Sequence, residues 1–591
     1  TAGINAFLER KGAHTSLLTT EGFRDVYEIG RANRPDMYNL FYKKPVPLVR
    51  RRYIYEVPER MLYDGTTERP LSEEALMPIV EQLRANGFSS VAVCLLHAYA
   101  NPAHELLIGE ALERLLPEVS VSLSHQVARE WREYERTSTT VINAYIAPII
   151  ERYLNSLEDK VRTGGFDERL HVMESNGGVM TSTAAKANPI QTLFSGPVGG
   201  VIGTAALGDL LDESHLICID MGGTSFDVGL VVNGVPDVTT ETYLDGFPVL
   251  MPIVNIHSIG AGGGSIAWLE AGGLRVGPQS AGSEPGPACY GRGGTEPTVT
   301  DANVVLGRVD PDYFAGGDYR LYVEEARQAM TKVSEELDLG VEQLAEGIID
   351  IVNANMANAI RAITVGKGID PREFALVAFG GAGPMHAVAL AQELQIPRII
   401  VPNLPGTFSA WGMLQTDIRH DLVQTFYQRV AETEAKALET TYRAMEGAGA
   451  DLLSDEKVDS GDMRFERSAD MRYVGQEYFV NIALSARVDD QALADLPERF
   501  HSAYNERYGH SNPEEAIEFV NLRVSAIGAL PKGQVQAEER ATHAAVARPV
   551  RQGRAFFGGE WLDAGIYMRD QLLSGQTFSG PAIVLESSCT T

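Results

Sequence analysis

Two aspartates seven positions apart, Asp220 and Asp227, bracket the small polar run Gly222-Gly223-Thr224-Ser225. Adjacent glycines permit a tight turn whose backbone N–H groups converge on an anion. Thr224 and Ser225 add hydroxyls, so Gly222–Ser225 reads as a cradle for phosphate oxygens. The carboxylates of Asp220 and Asp227 cannot bind phosphate directly. They can hold a divalent cation, Mg²⁺ or Mn²⁺, through water, or position an attacking water, which makes both catalytic candidates. A second glycine corner, Gly380-Gly381-Ala382-Gly383, precedes Pro384 and lets a flat ring or a phosphate approach the backbone. A third run, Gly260–Ser265, adds Gly262, Gly263 and Gly264 as a further ligand-side loop, or else a flexible turn. Asp301 is a candidate metal ligand and, equally, a candidate N-cap for a helix starting at Ala302.

These residues need elements to hold them. Leu216–Ile219 is an apolar strand ending at Asp220. Phe226, Val228, Leu230 and Val232 alternate as a half-buried strand does, and Asn233-Gly234 marks a following hairpin. The unit predicted is strand, glycine turn, strand, hairpin. Phe374–Phe379 is a strand running into the second corner, with Pro384 at the first turn of a helix. A helix over Val341–Thr364 places Leu344, Ile348, Val352, Met356, Ile360 and Ile363 on one face.

The first third alternates strands and helices. His14–Thr20, Ser90–His97 and Val119–Ser124 read as strands; helices start after Ser72 and Asn101-Pro102, and a long one covers Thr137–Arg162. That alternation predicts parallel pairing with helical crossovers. Asn5–Lys11 reads as the last turns of a longer helix, so residues ahead of Thr1 are expected. The charged run Arg129–Arg136 reads as a solvated helix face, and His257 as a core residue of an apolar strand. Toward the end Met471–Leu484 and Val520–Ile527 read as strands among two acidic helices, and Pro531–Arg551 as a polar linker.

Composition narrows the classes. Fifty Lys+Arg against 79 Asp+Glu give a net charge of −29, unsuited to a nucleic-acid backbone or an anionic membrane. No apolar run approaches the ~18–20 residues of a membrane span. Cys94, Cys218, Cys289 and Cys589 stand far apart, which excludes a disulfide framework and points to the cytoplasm. Cys289 has no evident base beside it and reads as a free structural thiol. There is no Gly-x-Ser-x-Gly elbow, so a serine-nucleophile hydrolase is disfavoured.

An Asp-x-Gly-Gly-Thr hairpin loop followed 160 residues later by a Gly-Gly-x-Gly corner resembles the actin/hexokinase/Hsp70 ATPase superfamily. The order of Gly196-Pro-Val-Gly-Gly200, the Asp220 loop, His257–Ser265, Glu284–Gly294, Thr298–Asn303 and Gly380–Pro384 is similar to the hydantoinase A subunit family, together with Asn5–Gly12 and Arg132–Thr140. That family includes 5-oxoprolinase, caprolactamase and the acetone and acetophenone carboxylases. The resemblance implies an α/β, two-lobed ATPase fold with a C-terminal β-rich α+β domain: a first lobe over 1–170, a nucleotide-binding lobe over 171–421 and the C-terminal domain over 422–591. It implies ATP and Mg²⁺ as cofactors, with Gly222–Ser225 and Gly262–Gly264 on phosphate, Gly380–Gly383 over the adenosine, and Asp220 and Asp301 near the metal. The expected activity is phosphorylation of a cyclic amide's carbonyl and ring opening with a B-type hydantoinase subunit; a ketone carboxylase subunit and a non-catalytic nucleotide switch are the alternatives. The family also carries an earlier Asp-x-Gly-Gly-Thr-x-x-Asp hairpin, and the 591 residues contain one such loop.

Overall fold

A computed structural model describes residues 2–31, 38–533 and 546–591. Most of the polar stretch Pro531–Arg551 therefore lies outside the described residues. Contacts divide the chain into two compact units, each assembled from three separated segments. Unit 1 comprises Thr1–Ser195, Val238–Ile253 and Thr416–Pro531; unit 2 comprises Gly196–Asp237, Val254–Gln415 and Lys532–Thr591. The divisions 1–170, 171–421 and 422–591 do not map one to one onto these units, because residues 171–195 and 416–421 fall in unit 1 and 532–591 in unit 2.

Unit 1 contains a four-stranded sheet in the order Ile54–Val57, Thr15–Thr20, Ser90–Cys94, Ser120–Leu123, parallel throughout. Its central strands are buried along their whole length, as parallel strands covered on both faces must be. The crossover helix Glu73–Asn86 starts where Ser72 accepts the Ala75 N–H and stops at Gly87 in the left-handed region. The long helix Glu133–Thr163 begins inside the charged run, and that run is not a solvated face. Glu130, Arg132, Glu135 and Arg136 are buried. The Arg136 guanidinium donates to the Leu95 carbonyl at 2.6 Å and the Glu130 carbonyl at 3.1 Å, so long-range partners override the local pattern.

A second sheet in unit 1 runs Val480–Leu484, Met463–Tyr473, Ile517–Gly528, Ile418–Arg429, Val179–Thr181, His171–Met173. The stretch Met471–Leu484 is thus two antiparallel strands rather than one. Gly475, at φ +84°, turns the chain between them.

The main sheet of unit 2 runs Val235–Pro236, Phe226–Val232, Leu216–Met221, Ala375–Phe379, Arg398–Ile400, with Ile256–Ile259 also on Phe226–Val232. Leu216–Met221 is the pivot: it pairs antiparallel with Phe226–Val232 and parallel with Ala375–Phe379. Ile217, Ile219, Met221, Phe226, Val228 and Leu230 enter one core with helix Val341–Ile363. All six apolar residues expected on that helix are buried. The last segment forms a three-stranded sheet of Arg551–Phe557, Glu560–Met568 and Ala582–Leu585.

Candidate nucleotide site

The site lies wholly within unit 2, at the end of the Leu216–Met221 strand. Alternation sends Ile217, Ile219 and Met221 into the core, which turns Asp220 to the opposite face. Antiparallel register sets Asp227 directly across from Asp220. The two carboxylates therefore share one face of adjacent strands, within coupling range. Burial, joined by the charge of Asp227, raises the Asp220 carboxyl to about 6, although the Ser409 hydroxyl works against the shift. Burial also raises Asp227, opposed by hydroxyls of Ser258 and Ser225.

Gly222–Ser225 closes the hairpin. The Gly222 N–H bonds the Ser225 carbonyl at 3.2 Å, while Gly222, Gly223 and Thr224 are exposed. Among the described residues no acceptor takes the N–H of Gly223, Thr224 or Ser225. The carbonyls of Gly222 and Gly223 are occupied instead: Gly263 N–H donates to the first at 3.0 Å and Gly264 N–H to the second at 2.7 Å. A β-carbon at Gly262 would lie 2.5 Å from the Thr224 nitrogen, so only glycine permits this stacking. The Gly262–Gly264 loop is buried behind the first turn. Thr300 fixes it in turn, donating N–H and Oγ1 to the Gly263 carbonyl, each at 2.8 Å.

The second corner meets the first directly. Parallel register puts Phe379 beside Asp220. Gly380 follows with φ +81°, and a β-carbon there would overlap Asp220 Oδ1. Ala382 N–H donates to the Met221 carbonyl at 2.9 Å, and Gly383 opens the helix Gly383–Leu394 with Pro384 in its first turn. Gly381 stays exposed. Asp220, Asp227, Gly222–Ser225, Gly262–Gly264 and Gly380–Gly383 thus form one contiguous set at the carboxyl ends of parallel strands, where ligands bind in open α/β sheets.

Asp301 has a different place. It is fully buried, and both of its oxygens accept hydrogen bonds. Oδ1 takes the Cys289 N–H at 2.7 Å; Oδ2 takes the Ala288 and Thr298 N–H groups and the Thr298 hydroxyl, the last at 2.7 Å. The helix starts at Val299 with Thr298 as its cap, and Asp301 completes a capping box as the third residue. Asp301 ties the helix to the Glu284–Gly294 loop. Beside it, burial drives the Cys289 thiol far up, which keeps it an inert structural thiol. His257 is half-buried in the Ile256–Ile259 strand, opposite Val228.

Ser409 also belongs to the set around Asp220. It donates to Asp220 Oδ2 at 3.1 Å from helix Phe408–Met413, 189 residues away in the chain. No local pattern marks it; the glycines Gly199 and Gly200, against which its helix packs, carry the indirect signal.

Family models for the hydantoinase/oxoprolinase N-terminal region, the hydantoinase/oxoprolinase domain and the hydantoinase/oxoprolinase C-terminal domain match residues 1–116, 136–422 and 426–591. The chain belongs to the hydantoinase/oxoprolinase family. Within it, the caprolactamase subunit alpha of Pseudomonas jessenii is 33% identical, covering 100% of this chain and 86% of the relative. The crystal structure of ATP-dependent caprolactamase from that organism superposes with a TM-score of 0.88 at 32% identity, covering 100% of this chain and 87% of the other. The nucleotide-free acetone carboxylase structure follows at 0.78 and 26%, with the same coverage. The 5-oxoprolinase of Saccharomyces cerevisiae is 31% identical over 100% of this chain, which spans 49% of that longer protein. The fold is accordingly the mixed α/β, ATPase-like fold of this family. No helix among the described residues is long and apolar enough to cross a membrane.

Proposed function

We propose that this chain is the A-type subunit of an ATP-dependent enzyme that opens a cyclic amide by phosphorylating its carbonyl oxygen. One observation carries the reading: the two glycine corners meet on the Asp220 strand, one with unspent N–H groups and the other flanking the carboxylate. The donor set suits a nucleotide, because Gly223, Thr224 and Ser225 present N–H groups to phosphate oxygens. The carboxylate pair suits a divalent cation, because two half-buried like charges facing one another are relieved by it. No cluster of three metal-ligating side chains occurs among the described residues. That fits Mg²⁺, which is held by one or two carboxylates with water and phosphate completing the shell.

ATP with Mg²⁺ would supply the transferable phosphoryl group and neutralise its developing charge. The protein's part is positioning. Gly223–Ser225 would orient the phosphates, Asp220 and Asp227 would hold the cation, and Gly380–Gly383 would admit the adenosine against backbone. Asp301 is left out of the metal set, since its oxygens are engaged. Phosphorylation of the amide oxygen makes the carbonyl carbon a stronger electrophile: water adds to it, the C–N bond breaks as the nitrogen takes a proton, and the acyl phosphate so formed is hydrolysed to carboxylate and phosphate, steps that a B-type subunit would complete. Four free, buried cysteines suit the cytoplasm.

The caprolactamase likeness favours an amide over a ketone. The test is substrate-dependent phosphate release by the full-length protein with its B-type partner, on caprolactam, hydantoin and 5-oxoproline against acetone plus bicarbonate. Release stimulated by a cyclic amide is expected. Stimulation by acetone and bicarbonate alone would replace this reading with the carboxylase one, and a folded protein with no Mg-ATP affinity by calorimetry would end both.

A further inference from the structure

The motif Gly196-Pro-Val-Gly-Gly200 governs how one helix reaches the site. It lies in helix Ser195–Leu211. Gly199 and Gly203, one turn apart, face Gly412 of the helix Phe408–Met413 backbone to backbone. A β-carbon at Gly203 would stand 3.1 Å from the Gly412 α-carbon, one at Gly199 2.6 Å from the Ser409 carbonyl, and one at Gly412 would overlap the Gly199 carbonyl. A β-carbon at Gly200 would strike the Phe379 ring at 2.5 Å and lie 3.1 Å from Ser409 Oγ. Side chains at these positions would push the two helices apart, and Ser409 would leave Asp220.

We propose that Ser409 is a positioning residue for Asp220, and that the close glycine contact between the two helices serves to hold its hydroxyl there. The inference rests on the nucleotide-site reading above. Asp220 is bounded on two sides: Gly380 crowds Oδ1, and Ser409 donates to Oδ2 at 3.1 Å. The terminal torsion of an aspartate is broad and leaves its plane loose. A fixed donor on one oxygen sets that plane and leaves the outer lone pairs pointing one way. Phosphoryl transfer depends on such placement, and misplacement by about 1 Å costs on the order of 100-fold in rate. Phosphate binding itself falls to the Gly223–Ser225 N–H groups, which Ser409 does not touch.

The experiment compares wild type, Ser409→Ala, Ser409→Thr and Asp220→Asn in the full-length protein, by substrate-stimulated ATP turnover. Ser409→Ala is expected to lower kcat about 10- to 100-fold. The KM for ATP should stay within about twofold, and half-maximal rate should require more Mg²⁺. Ser409→Thr, which keeps the hydroxyl, restores most of the rate. A helix-compatible alanine keeps the protein folded, its thermal midpoint lowered by no more than the loss of one hydrogen bond, which separates lost positioning from lost fold. An unchanged kcat in Ser409→Ala overturns the inference. So does a KM that rises in step with the fall in kcat, or a threonine variant as impaired as the alanine one. Asp220→Asn tells the two levels apart: if it is inactive while Ser409→Ala is normal, the site reading stands and this inference falls. If Asp220→Asn is fully active, the site reading itself falls and this inference goes with it.

Discussion

Two groups of sheltered carboxylates in this molecule are built on opposite terms. In unit 1, Glu130 and Asp470 flank Arg523, at 3.1 and 2.7 Å, and Asn521 and Asn481 each donate to Asp470. Nearby, Arg467 ties Glu439 and Glu446 at 2.6 and 2.7 Å, and its donation draws the Glu439 carboxyl down to about 2. Each negative charge there has a guanidinium. In unit 2, Asp220 and Asp227 face one another with hydroxyls as their only donors among the described residues, and both carboxyls are pushed up. Charge neutralised from within is scaffold, whereas under the proposed function the pair in unit 2 is left for a bound cation to neutralise. Glu174 takes a third course: burial and Asp421 push it well above the usual carboxylate range, one oxygen accepts from Asn176 at 3.1 Å, and the other has no partner among the described residues.

The contrast can be broken or sharpened by four measurements. The largest effect is expected from Asp220→Asn, which should cut ATP turnover by about 100-fold or more, a loss on the scale of removing a preorganised electrostatic contact; steady-state phosphate release measures it. Next, Arg523→Met should cost about 3–5 kcal/mol in urea unfolding, because it removes the guanidinium that bonds the buried Glu130 and Asp470. A loss below about 1 kcal/mol would erase the distinction between the two regions. Third, ligand-free Asp220→Asn should be more stable than wild type at pH 8, by roughly 1–3 kcal/mol. The sign follows from a folded-state value of about 6, above the usual one. The wild-type protein holds its full stability from this group below the unfolded value and loses it as pH rises through about 6, so at pH 8 the asparagine removes a penalty. Thermal midpoints across pH 5–8 report it, and added Mg²⁺ should narrow the gap by stabilising the wild type alone. The smallest change is expected at Glu174→Gln, below about 1 kcal/mol, because burial raises that carboxyl and so favours the neutral form that glutamine preserves; urea midpoints check it.

What could be read from the chain, and what could not, follows the distance between partners. The Leu216–Asp227 hairpin and the Gly380–Gly383 corner are local: strand pattern, turn residues and carboxylates stand together, and the fold places them as expected. The Val341–Ile363 helix announced its buried face by spacing alone. The Arg129–Arg136 run has the pattern of a solvated face because its partners lie elsewhere in the chain; Glu130 meets Arg523 across 393 positions. Ser409 was invisible for the same reason. Asp301 shows a subtler limit, since a carboxylate three residues after a threonine reads as metal ligand or cap alike until the Ala288 and Cys289 amides are seen to occupy it. Met471–Leu484 looked continuous because apolar residues lie on both sides of Gly475.

The interleaving of the units bears on biosynthesis. The sheet of unit 1 that joins Val179–Thr181 to Ile418–Arg429 and Ile517–Gly528 cannot close until translation has passed position 528. At about 5–20 residues per second that is on the order of a minute. Through that interval the early strands wait with uncovered edges beside a nascent chain, a state prone to aggregation. Splitting the gene between the units would yield no autonomous half, and high-yield production should respond to slowed synthesis and chaperone supply more than to changes in the mature protein's surface.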